Sequence, residues 1–348
     1  MTSHPAEWFQ AFLPIKNKRG GNPSSMQFSM ESCLSWTNTK ARVQNAGLGG
    51  IYPDFIDFKL DELMKHTALY LFQGISPSPQ VEMKFKSSSE DPINGNDLIH
   101  RAFGGKSAIS VQRHKHFKAF FACVDPLIPL PFRETHPNWE IHSLPKHINS
   151  VAKKAVHLGR DLSCDEQTVG FQGHHRNKLR ITFKNEGDGF MTDCICSNGY
   201  TYNFHFRHQP PSQKLIRLGL SGLHARVVGL VSQLPNKNYT LSMDNLYNSA
   251  KFYRYLYSMD QRVMGHGVTR QGGRGVPKCV IQKEMTSKQE IAKVRHTVKV
   301  AVLKGDSICK PLVCISLYDS KPVYILSMAC SEIKYIAKKK EVMAQGKE

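Results

Sequence analysis

Apolar positions recur with two different periods along this chain, and the change falls near residue 160. In "FKLDELMKHTALYLFQG", Leu60, Leu63, Met64, Leu71 and Phe72 fall roughly on one face of a 3.6-residue period, with Gly74 as a plausible stop. "SPSP" then breaks the chain. "SAISVQRHKHFKAFFACV" carries Ile109, Phe117, Phe120 and Phe121 as its apolar component, and "LPKHINSVAKKAVHL" is a third helical segment. Residues 55–157 therefore read as mainly helical. Before them, residues 1–50 are polar with Gly and Ser clusters ("KRGGNPSSMQ", "AGLGG") and read largely as a flexible arm.

From Arg160 the pattern is that of strands. "RDLSCDE" and "LRITF" read as short ones. In "GFMTDCICSNGYTYNFHF", Asn198-Gly199 is the preferred pair for a two-residue hairpin turn. After it Tyr200, Tyr202, Phe204 and Phe206 alternate with Thr201, Asn203 and His205, the period of a half-buried strand. An apolar helix ("LHARVVGLVSQL"), a strand ("YTLSMDN"), a helix ("SAKFYRYLYSM") and a strand ("RVMGHGVTR") follow. Three strands, helix, strand, helix, strand, opening with an antiparallel meander, is the order of a ribonuclease H-like α/β fold: a mixed sheet flanked by helices. "LVCISLYDSKPVYILSMA" reads as a further hairpin turning at Asp319-Ser320. The expected organisation is an arm (1–50), a helical dimerisation or DNA-binding-like domain (51–157), a partial ribonuclease H-like core (158–270), a β-rich insertion (271–330) and a polar tail (331–348).

Charge adds a partner. Lys plus Arg number 47 against 28 Asp plus Glu, a formal net of +19 over 348 residues. Such an excess points to a polyanion, with nucleic acid first and an anionic membrane surface second. With 40% hydrophobic and 22% charged residues, the composition is globular. No apolar run is long enough to span a membrane, and the start does not read as a secretory leader. The nine cysteines are scattered without a CxxC pair, so reduced thiols, an intracellular compartment and no structural zinc are expected.

Two acids stand at expected strand ends: Asp165 in "LSCDEQTVGFQG" and Asp244 in "LSMDNLYNS". In a sheet of this order those ends lie side by side, and two converging carboxylates repel unless a cation sits between them. Mg²⁺ (or Mn²⁺) suits hard oxygen ligands and keeps waters that a phosphate can replace. Each aspartate taken alone also serves a structural reading. Asp244-Asn245 with Ser249 could cap a helix, and Asp165-Glu166 could accept N–H groups at a turn.

Residues from about 60 to 330 resemble the piggyBac family of cut-and-paste DNA transposases and their domesticated descendants. The resemblance rests on six blocks in order: "LDELMKHTALYLFQGISPSPQVEMKF", "RDLSCDEQTVGFQG", "FKNEGDGFMTDCICSNGYTYNFHF" with Gly189-Phe190 and Gly199-Tyr200, "LSMDNLYNS", "GHGVTRQGGRGVP" and "DSKPVYILSMA". It implies that Asp165 and Asp244 are the first two metal-binding, catalytic carboxylates of a three-aspartate site. There, metal-bound water cuts the transposon end, and the freed 3′ hydroxyl attacks the other strand to form a hairpin and later joins a TTAA target. It further implies double-stranded DNA as partner, a possible homodimer and a nuclear location.

The third aspartate of the family lies in a "GGVDxxD" block, which these residues do not contain, and the family's cysteine-rich zinc module is not found either. Asp319 sits in a turn, and nothing places Glu332 or Glu341 in the site. A catalytically incomplete site is therefore expected, with weak metal binding; the alternative is a non-catalytic DNA- or chromatin-binding protein. Gln172, His174, Asn185 and Met191 stand where the family commonly has Lys, Arg or Pro. The remaining DNA-contact candidates are Arg176, Lys178 and Arg180 on a basic strand edge, and Arg270 and Arg274 in a glycine-rich turn. His114, Lys115 and His116 read as a solvated or phosphate-facing helix side. The run Lys338 to Lys340 serves nuclear import or solvation of the terminus.

Overall fold

Serine hydroxyls start several of the helices. Ser29 accepts the N–H of Ser32 at the head of Met30–Asn45, and Ser110 that of Arg113 ahead of Val111–Phe120. The computed structural model describes residues 11–15, 28–46, 50, 52, 55–75, 109–136, 138–171, 173–180, 187–273 and 275–330. They fall into two compact units, Met1–Ala155 and Val156–Glu348.

In the first unit the described helices are Met30–Asn45, Leu60–Ile75, Val111–Phe120, Leu130–Thr135 and Ser143–Ala155, with a 3₁₀ turn at Trp139–Ile141. Met30–Asn45 lies within the stretch read as a flexible arm. It buries Met30, Cys33, Trp36, Thr37 and Ala41, a face too mixed in polarity to announce itself by hydrophobic period. The helix at Leu60 ends at Ile75, one residue past the expected stop at Gly74. The "SPSP" break lies outside the described residues.

Phe58 stacks on Phe117 at 3.7 Å, beside buried Leu63 and Phe120. Arg113 locks this core. It donates to both carboxylate oxygens of Glu62 (2.7 and 3.0 Å) and to the carbonyls of Ile56 and Asp57, and it lies 4.2 Å over the Phe58 ring. The expected solvated His114–His116 side is corrected here. Lys115 is exposed, but His114 is buried with its Nδ1 3.0 Å from Nδ1 of buried His66, and His116 packs on Tyr52. A polar run can hide a buried edge when its partner, here His66, lies 48 residues away.

Burial, and then the neighbouring His114, hold the His66 pKa down at about 3. Tyr70, Phe117 and Phe121 are the other rings around it. A base whose folded pKa is depressed stabilises the fold fully above its ordinary value near 6.5, and that contribution disappears as pH falls from there toward 3. Urea unfolding of the full chain should therefore lose stability as pH drops from 6.5 to 4. His66→Leu should remove about one proton's worth of that slope; an unchanged slope would show that this pair does not titrate on unfolding.

The second unit is one eight-stranded sheet in the order β3-β2-β1-β4-β5-β8-β7-β6. The strands are β1 (Asp161–Gly170), β2 (Gly189–Ser197), β3 (Tyr200–Phe206), β4 (Thr240–Met243), β5 (Met264–Thr269), β6 (Val298–Leu303), β7 (Leu312–Tyr318) and β8 (Pro322–Ser327). β1, β2 and β3 form the expected antiparallel meander, and β4 and β5 run parallel to β1, each reached through a helix. Asn198 and Gly199 turn the first hairpin with φ of 50° and 83°. A bulge at Ile195/Cys196 breaks the aromatic stripe. Tyr202 enters the core, Phe204 and Phe206 pair with Cys194 and Thr192, and Tyr200 is exposed. "LRITF" is not a strand where it is described: Leu179 makes a single bridge to Gly189, and residues 181–183 lie outside the described set.

The helices Gly222–Val231 and Ala250–Ser258 pack Val227, Val231, Phe252 and Tyr253 into one cluster with Leu162, Cys164, Ile195, Leu241 and Met243 of the sheet. Each such side chain contributes about 1.5–3 kcal/mol by leaving water. The second hairpin, β7–β8, joins the same sheet through β8, which pairs antiparallel with β5. Both glycines of "GHG" are there for close approach. A Cβ on Gly265 would meet the Tyr253 ring at 2.4 Å, and one on Gly267 would meet the Met243 carbonyl at 1.9 Å.

Candidate functional site

The parallel register fixes where the two aspartates stand. Cys164 of β1 is opposite Met243 of β4, so the next positions on the two strands are Asp165 and Asp244. Both are exposed. Asp165 does not close its strand, because β1 continues to Gly170 against β2; what ends at Cys164 is the pairing with β4. The Asp165 carboxylate accepts the N–H of Glu166 at 2.7 Å, and its backbone carbonyl accepts the Cys194 thiol.

The stretch after Asp244 is pinned from several sides. The Tyr247 N–H donates to the Asp244 carbonyl (3.1 Å), and the Asn248 side chain donates to the carbonyls of Met243 (3.2 Å) and Val268 (2.5 Å). Ser249, not Asp244, caps the following helix, accepting the Phe252 N–H. The Asp244 carboxylate is thus left out of the capping role that its sequence context also allowed.

The neighbouring acids 165 and 166 serve opposite faces of the sheet. Glu166 faces the helix side, where Arg207 donates to it at 2.7 Å. The same Arg207 donates to Asp193 (2.8 Å) and to the Tyr247 hydroxyl (2.9 Å), while Arg226 donates to the other Asp193 oxygen (3.0 Å) and Tyr247 to the first (2.8 Å). Asp193 has no exposed surface. Burial opposes the charge on Arg207, but the Asp193 carboxylate outweighs it and holds the guanidinium pKa above its ordinary value; burial, then Asp193, pushes the Tyr247 phenol up. Asp193, Arg207, Arg226 and Tyr247 were not among the sequence candidates. Only a polar residue inside an otherwise buried strand hinted at them.

The basic candidates separate. Arg176 and Arg180 are exposed, in a turn and the bridge that follows it rather than on a strand edge. Lys178 pairs with Asp188 at 3.4 Å. Arg270 is exposed two positions past Val268 on β5, at the same end of the sheet as Asp244, and its carbonyl accepts the Gly273 N–H in the expected turn. Arg274 lies outside the described residues, as do Lys338 to Lys340. His174 is exposed, and His175 accepts the Asn177 N–H.

A divalent cation would find hard oxygens on Asp165 and Asp244. No group of three His, Cys, Asp or Glu side chains able to hold a metal occurs among the described residues, and Glu166 is turned away to Arg207. The pair fits one weakly held cation by its chemistry, not a closed site.

The family model described as Transposase IS4, of the DDE transposases, matches residues 30–347, and the chain belongs to that family. Among solved structures it is similar to piggyBac transposase in a cryo-EM synaptic complex with hairpin DNA, with a TM-score of 0.71 at 17% identity. The match covers 96% of this chain and 62% of that one, so the chain spans under two thirds of that transposase. No curated protein matches. The fold is therefore that of piggyBac transposase, the ribonuclease H-like DDE arrangement that the sequence blocks implied.

Asp193→Ala would leave two guanidinium groups facing a void. It should destabilise the chain by about 3–5 kcal/mol in urea unfolding. A loss under about 1 kcal/mol would show that the cluster does not hold the sheet together.

Proposed function

We propose that this chain is a DNA-binding protein of piggyBac transposase descent whose ancestral activity is Mg²⁺-dependent DNA cleavage and strand transfer, and whose site is catalytically incomplete in these 348 residues. Family membership over residues 30–347, on a fold shared with a transposase solved with DNA, supports the reading most directly. The net charge of +19 agrees with it.

In this reading Asp165 and Asp244 hold one Mg²⁺ or Mn²⁺ weakly, and double-stranded DNA lies along the sheet end that carries them, contacted by Arg270, Arg274, Arg176, Lys178 and Arg180. When bound, the cation would supply Lewis-acid chemistry at a phosphate. The chain's own residues present the carboxylates and hold the duplex. The helical unit serves dimerisation or further DNA contact, and the protein acts in the nucleus. The missing third side-chain ligand among the described residues favours a second reading: a non-catalytic domesticated protein that binds DNA or chromatin.

Duplex binding followed by fluorescence anisotropy should weaken at least tenfold between 50 and 200 mM salt. Arg270→Ala and Arg176→Ala should each lower the salt slope by about one. Binding that is absent or insensitive to salt would remove the proposal. In calorimetric titration with Mg²⁺ or Mn²⁺, weak affinity should vanish in Asp165→Ala and in Asp244→Ala; equal affinity in all three proteins would exclude the shared cation.

No helix among the described residues is long and apolar enough to cross a membrane.

A further inference from the structure

The other end of the same three parallel strands carries a second polar site. Arg160 immediately precedes β1, Tyr239 immediately precedes β4, and Met264 opens β5. Together with Asn236, Lys237, Asn238 and Lys310, they line an open groove of about 620 Å³. Asp165 and Asp244 lie toward the opposite strand ends, so this cavity is separate from the carboxylate pair.

Its chemistry is one-sided. Three cationic side chains, Arg160, Lys237 and Lys310, surround it, and no Asp or Glu is among its lining residues. None of the three takes part in an ion pair among the described residues. Tyr239 itself is 4% exposed and belongs to the hydrophobic core behind the cavity.

The frame around the cavity is rigid. The Thr240 N–H donates to the Arg160 carbonyl (2.9 Å), the Met264 N–H to the Tyr239 carbonyl (2.8 Å) and the Asn238 N–H to the Gln261 carbonyl (2.8 Å). Asn238 adopts a positive φ of 64°, which turns the loop at the cavity's edge.

We infer that this cavity binds a small phosphate-bearing anion. Arg160, Lys237 and Lys310 supply charge-assisted hydrogen bonds, and the Asn236 and Asn238 amides neutral ones. Leu158 and Met264 line the same cavity with apolar surface for the body of the ligand. The site lies at the opposite strand ends from the proposed DNA path.

Isothermal titration calorimetry of the full chain with inorganic pyrophosphate, and separately with ATP, tests this. Both should bind saturably. Affinity should fall at least tenfold in the Lys237→Gln/Lys310→Gln double variant, whose changes are on exposed positions. Lys293→Gln, an exposed position that does not line the cavity, should leave it within twofold. Melting temperatures without ligand serve to show that the variants are folded. Absence of saturable binding, or equal affinity in the folded double variant, would overturn the inference. So would stoichiometric displacement of pyrophosphate by a short duplex, which would assign the cavity to nucleic-acid backbone.

Discussion

One buried carboxylate organises the edge on which the functional reading rests. Asp193, in the middle strand of the meander, holds Arg207 at the end of β3, Arg226 on the covering helix and Tyr247 in the turn after β4. Two guanidinium groups and a phenol can be kept out of water only because that charge is there and its oxygens are shared among them. Through Arg207 the cluster also takes Glu166 out of play. Tyr247, whose N–H bonds to the Asp244 carbonyl, ties the cluster to the backbone at the second aspartate. Four separate segments are thereby referred to one point directly beneath the exposed pair.

On the outer face the consequence is economical. Asp165 sits on a strand whose neighbour in register carries Asp244, and the parallel neighbours β4 and β5 lie close enough there that a Cβ at position 267 would strike the Met243 carbonyl. Asn248 bridges the ends of those same two strands. Such positioning is what metal-assisted phosphate chemistry requires of a protein: carboxylates held by backbone, not by one another. What the described residues do not supply is a third ligand.

Much of the strand-rich unit was legible because its signals are local. Asn198-Gly199 announces a hairpin, and the alternation after it announces a strand. The apolar stretches around residues 227 and 252 read as helices because their burying faces are continuous. The misses share one cause, which is dependence on distant partners. His114 looks solvated until His66 is brought to it, and the helix Met30–Asn45 looks like an arm until Trp36 is buried. In the acidic pair 165–166, alternation alone sends one side chain to each face, but which of them meets Arg207 depends on a residue 41 positions away.

The account stands on a cation shared between positions 165 and 244. Anomalous scattering from crystals soaked in Mn²⁺ locates such an ion without reference to activity. A peak bridging the two carboxylates, absent from Asp244→Ala crystals grown in the same way, is the predicted result. Well-ordered carboxylates with no peak between them, or Mn²⁺ bound only elsewhere on the chain, would contradict it.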